Sequence, residues 1–196
     1  MAFTLAVAYY SSVNPTMGSF VSHWATLCLA IVLIFFSLTG LMCLNLTKQV
    51  PINYLLLFMF TAAESVTVGN IASYYEPESV IEAMITFTIT TVCLFLGSMC
   101  IRNMKFYAYG MLFSIFLSFV MQSLCLVFLL SGHADRTAFI LYSFSGIIIY
   151  SVYVVIDLWM IAERIEIDDY ILGAITLYVD LVTLFIHILQ ALGKAK

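Results

Sequence analysis

The chain alternates long apolar runs with short polar punctuation. Windows of about 20 residues pick out six apolar stretches, at 21–45, 52–73, 79–101, 106–131, 138–162 and 170–191, each long enough for a helix across a ~30 Å hydrocarbon core. A shorter run, MAFTLAVAYYSSV, comes first; its length of about 13 residues at 1.5 Å each gives only ~20 Å. It lacks the basic flank of a signal peptide, so it reads as the second half of a helix whose beginning is missing. The segment after it, NPTMGSF, reads as a turn from its Asn-Pro pair and its glycine.

Composition agrees with the pattern. Of 196 residues, 64% are hydrophobic and 9% charged, and the mean hydropathy is +1.10. A soluble domain carries about a quarter charged residues. The expected fold is therefore all-α, a polytopic membrane helical bundle with six full spans plus a truncated first helix, in a single domain over 1–196. Membrane lipids are its first partners. The net charge of −4 comes with no basic stripe, which excludes nucleic acid as a partner. Cys28, Cys43, Cys93, Cys100 and Cys125 are scattered in or near the runs without a CxxC pair and read as small packing residues rather than disulfides or metal ligands. No motif for a cofactor is present.

The distribution of Lys and Arg sets the expected orientation. Lys48, Arg102, Lys105 and Arg164 fall in alternate connections, against Arg136 on the other side, so their side is the cytosolic one. The connection Tyr74–Ser79 is acidic, with Glu76 and Glu78. Lys194 and Lys196 are in conflict with this rule. A full crossing by 170–191 gives four basic residues against three, and a segment that dips in and returns gives six against one. Charge favours the second and length the first. Asn45-Leu46-Thr47 is a formal glycosylation sequon on the side expected to be cytosolic, hence unmodified.

The candidate chemistry lies inside the runs. Asp157 and Asp180 each sit in an apolar stretch, where a carboxylate at the bilayer centre costs at least ~2.5–3.5 kcal/mol. With the intervening turn centred on Asp168 and Asp169, each lies about 11 residues into its helix, a depth of ~17 Å. Antiparallel neighbours pack at 8–10 Å, so carboxyls at equal depth touch. Two such groups cannot both ionise cheaply; they share a proton and titrate as a coupled pair. Sharing clips the helices together at low pH, and deprotonation drives them apart and attracts a cation. Calcium suits these oxygens as a transient ligand at Asp157 and Asp180, although carboxylates alone do not select it, and no firm metal site is expected. In the alternative reading each aspartate bonds a hydroxyl such as Tyr150, Tyr153, Thr176 or Tyr178 and fixes packing.

Glu64 is the third acid within a span, with Ser65, Thr67 and Asn70 on its helix. It either lines the same cavity or accepts a hydrogen bond between helices. His187, seven residues after Asp180 and on nearly the same face, is either a proton relay or an interfacial residue. His23 and His133 read as loop or interface residues. No nucleophile elbow, P-loop or HExxH is present. An intramembrane aspartyl protease also uses two aspartates on neighbouring spans, but Leu177-Tyr178-Val179 stands where its Gly-x-Gly pattern precedes the second one. No enzyme activity is expected.

Two stretches carry a family resemblance: Pro51–Thr88, from PINYLLLFMFTAAES onward, and Ile156–Leu192, with IDLWMIAERIEIDDY and the LYxD motif at Asp180. With weaker matching over 1–45 and 100–140, the chain resembles the transmembrane Bax inhibitor motif (Lifeguard) family, and most closely its Golgi anti-apoptotic branch. The resemblance implies a seven-helix bundle with the last helix at its centre. It implies a pH-sensitive calcium leak channel of Golgi or endoplasmic reticulum membranes that modulates store calcium and inhibits apoptosis. The alternative is a non-conducting membrane regulator that binds calcium-release channels or death-pathway membrane proteins. By motif match Asp157 and Asp180 resemble the family's pH-sensing pair, and Glu64 the acid of its Ser-Glu-Ser-type segment, here Ala-Glu-Ser. The chain departs from the pattern in three ways. The family's N-terminal tail and the start of its first helix are absent. Ile156-Asp157-Leu158 replaces the usual Tyr-Asp-Thr. No Arg or Lys lies between Ile52 and Ser79, where bacterial relatives carry an arginine latch, so closure rests on the aspartate pair.

Overall fold

The computed structural model describes residues 1–42, 50–100, 136–163 and 170–196, with isolated positions between 109 and 123. The described residues form seven helices: α1 (Ala2–Val13), α2 (Pro15–Ser22), α3 (Trp24–Met42), α4 (Ile52–Ser73), α5 (Pro77–Cys100), α6 (Arg136–Glu163) and α7 (Tyr170–Leu192). Five of them, α3 to α7, are long and apolar enough to cross a membrane. They match five of the six expected spans, and the chain is an integral membrane helical bundle. The run at 106–131 falls almost wholly outside the described residues. So do the sequon at 45–47, Lys48, Arg102, Lys105, His133 and the turn 164–169.

The short apolar start is a helix of 12 residues, as its length predicts. Residues 14–20 differ from expectation: the Asn-Pro pair starts a helix instead of closing a turn. Asn14 is extended (φ −96°, ψ 116°) and separates α1 from α2, and Pro15 takes the first helical turn, where its missing N–H costs nothing. The fold back also explains Gly18. A Cβ there would lie 3.1 Å from the Ser11 carbonyl, a tight approach, so glycine lets α2 press closely against α1.

Helix α7 is the innermost span. Of its apolar window 44% is buried, against 17% for α5 and 22% for α3. It packs against α6, α5 and α4. Val182, Leu184, Phe185, Ile188 and Leu189 form a core with Ala8 of α1, Val68 and Ala72 of α4, Phe87 of α5 and Val154 of α6. Phe87 and Phe185 meet edge to face at 5.8 Å. Helices α1 and α4 approach closely at Gly69, where a Cβ would come within 2.9 Å of Ser11 Oγ. Small residues at a helix crossing serve packing in lipid, where apolar burial alone gives little drive. Trp24, Val32, Phe35 and Phe36 of α3 point outward, as a lipid-facing surface requires. Cys28 and Cys93 are free thiols on outward faces of α3 and α5.

Helix α7 is tied to α4 at both ends. At its start the Tyr170 hydroxyl donates to Tyr54 (2.8 Å) and accepts from the Asn53 amide (3.3 Å). At its end the chain continues as a strap. Ala195 pairs with Tyr75 as an antiparallel bridge, Lys196 N–H donates to the Tyr74 carbonyl (3.0 Å), and Glu76 N–H donates to the Lys194 carbonyl (3.0 Å). The Lys196 ammonium donates to the carbonyls of Ser12 (2.8 Å) and Ser73 (2.9 Å), at the C-terminal ends of α1 and α4. Thus α4 and α7, of 22 and 23 residues, run parallel over the same span. The last segment is one continuous helix and does not dip and return. Lys194 and Lys196 lie on the side of the acidic connection, so length outweighs the charge count here.

Candidate functional site

Helices α6 and α7 pack along most of their lengths. Near the midpoint of α7, Asp180 faces Asp157, which is 8% exposed. The Asp157 carboxyl is in hydrogen-bonding contact with Asp180 and with the Thr176 hydroxyl, one turn before Asp180. Two carboxyl groups can bond to each other only with a proton between them, one giving O–H and the other accepting. The two sequence readings therefore meet at one place, because a carboxyl partner and a hydroxyl partner are both present.

The register of the seam continues away from the pair. Tyr150 stands seven residues before Asp157 and His187 seven after Asp180, so the antiparallel pairing that joins the acids also joins these rings. They stack at 5.4 Å with 25° between planes. Tyr142, further along α6, meets His187 edge-on at 5.6 Å. The imidazole is 7% exposed, so the ring is packed between helices. Gly146 makes this burial possible, since any Cβ there would fall on the His187 ring.

Glu64 is half-buried on α4 and does not join the aspartates. It lies within electrostatic reach of Tyr178, on the side of α7 turned toward α1 and α4. Tyr178 was a candidate hydroxyl for the aspartates, but its OH hydrogen-bonds Thr4 at 2.7 Å, and Ser65 donates to Thr4 at 3.1 Å. This three-hydroxyl knot ties α7 to α1 and α4, and no local pattern announces it. His23 lies between α2 and α3, where its Nδ1 accepts from the Ala25 N–H at 3.3 Å and its ring stacks on Trp24. This is a connection between helices, one of the two placements expected of it.

Among the described residues no three His, Cys, Asp or Glu side chains come together as a metal cage. Calcium takes six to eight oxygen ligands, more than two carboxyl groups supply by themselves.

Comparison with known proteins agrees with this architecture. The chain is 29% identical to Bax inhibitor 1 of Schizosaccharomyces pombe over 148 residues, 74% of this chain and 54% of that protein. It is 30% identical to Protein LIFEGUARD 4 of Arabidopsis thaliana over 189 residues, 94% of this chain and 75% of that one. With the Golgi anti-apoptotic protein of Vaccinia virus it shares 27% identity over 145 residues, 72% of this chain and 58% of the viral one. The chain thus spans little more than half the length of the yeast and viral relatives. The family described as Inhibitor of apoptosis-promoting Bax1 matches residues 1–196, from end to end. By that match, with a helical bundle whose innermost described helix, α7, carries one of two facing acids, the chain belongs to the Bax inhibitor (Lifeguard) family.

Proposed function

We propose that the chain is a pH-sensitive calcium leak channel of Golgi or endoplasmic reticulum membranes that modulates store calcium and restrains apoptosis. The observation that carries this reading is the hydrogen-bonding contact between Asp157 and Asp180 across the α6–α7 seam. The names of the yeast and viral relatives support the anti-apoptotic and Golgi parts. At acidic pH a shared proton holds the seam closed. Once both acids are ionised, two unit charges about 4 Å apart repel by about 4 kcal/mol at an effective dielectric of about 20. That is about three powers of ten in the closed-to-open ratio, and it leaves two free carboxylates for a cation. Glu64 offers a further acidic group on the α4 side of the path.

The test is flux from calcium-loaded liposomes holding the purified protein. Leak should be faster at neutral than at acidic pH, and Asp157→Asn or Asp180→Asn should flatten that dependence. No flux above empty liposomes at any pH would sink the channel and favour a non-conducting regulator that binds calcium-release channels or death-pathway membrane proteins.

A further inference from the structure

A buried polar atom without a partner is costly, and the α6–α7 seam holds two on successive turns of one helix. Among the described residues His187 Nδ1 has no hydrogen-bond partner, and neither does Gln190 Oε1. His187 lies on the face of α7 that carries Asp180, and Gln190 follows one turn later, about 80° around the helix from Asp180. Gln190 also lines a cleft of about 520 Å³ at the strap end of the bundle, together with Glu76, Phe139 and Lys194. Inward from His187 the next ring is Tyr150, stacked on the imidazole and close enough to Asp180 to feel its charge. Polar groups thus follow one another from the cleft through Gln190, His187 and Tyr150 to the aspartates.

We propose that this line is the proton route between the aspartate pair and the compartment on the strap side, with His187 as its relay. The inference rests on the reading of Asp157 and Asp180 as a pH-sensing pair. A neutral imidazole has one donor and one acceptor nitrogen. Water in the cleft beside Gln190 gives a proton to one ring nitrogen, and the other releases its own toward the Tyr150 hydroxyl. That hydroxyl in turn passes a proton to Asp180. One proton enters, one arrives, and His187 returns to neutral.

The groups that would compete for this proton are few among the described residues. Tyr142 and Tyr150 face His187 from α6. Glu78 and Glu82 of α5 are exposed. Glu64 of α4 lies by Tyr178, half a helical turn around α7 from His187. From α1 the polar side chain that reaches α7 is Thr4.

The whole chain in phosphatidylcholine liposomes, followed by time-resolved infrared absorption of the carboxyl C=O band after a pH jump, reads the protonation directly. The Asp157→Asn, Asp180→Asn double variant assigns the band by removing it. His187→Phe should slow the band's change by about tenfold or more, the order of a lost proton-transfer group, with its final amplitude at each pH unchanged. Gln190→Leu should slow it in the same sense, and carries the test if His187→Phe does not fold. Unaltered rates with normal amplitudes would overturn the relay and leave the aspartate pair standing. Absence of a titrating band in the unmodified protein would remove the pair, and the relay with it.

Discussion

Gly146 decides where His187 can sit. Because a Cβ there would fall on the imidazole, Gly146→Val should cost about 1–3 kcal/mol as overpacking, read as an earlier midpoint in unfolding by a denaturing detergent. The comparison is Gly97 of α5, where a Cβ meets nothing within 4 Å. Gly97→Ala should be neutral or add up to about 1 kcal/mol through helix propensity. Equal effects at the two sites would contradict the packing described. The same residues show what a sequence discloses at this scale. The Asp157–Asp180 contact was legible because adjacent helices and a short turn fix the register by counting. The burial of His187 was not, because it depends on a glycine on another helix. Nor could the outward faces of Cys28 and Cys93 be foreseen, since helices apolar on all sides carry no stripe to say which side is in.

At the scale of elements, the strap is the feature that reading along the chain misses. Ser12 lies 184 positions from Lys196, and nothing local marks the pair. The Lys196 ammonium sits where α1 and α4 present free carbonyls and the negative ends of their dipoles. Lys196→Met should therefore lower stability by about 1 kcal/mol and speed amide exchange at Tyr74–Glu76. Unchanged exchange there would show that the ammonium does not hold the strap. Tyr75 lines this contact, and burial pushes its phenol above its usual range, so it stays neutral across physiological pH. Helix α2 was hidden for another reason. Asn-Pro is turn chemistry in most settings, yet proline at a first helical turn begins a helix just as readily.

At the scale of the molecule, the spacing of apolar runs announced the bundle, because a helix is the structure that satisfies every backbone group within a lipid-exposed run. The direction of the last run was less legible, since charge and length disagreed. The parallel course of α4 and α7 resolves it. Single cysteines at Tyr170 and Lys194 should react with a membrane-impermeant thiol reagent from opposite sides of a vesicle, and labelling of both from one side would refute the crossing. The double attachment of α7 to α4 has a mechanical consequence. Its two fixings lie at opposite membrane surfaces, so the helices must tilt as one strut when the bilayer thins or thickens. Helix α6 meets this strut through packing and the Asp157 contact. A change in lipid thickness therefore becomes shear along the seam where Asp157 meets Asp180, which couples the contact between the two acids to the membrane's dimensions.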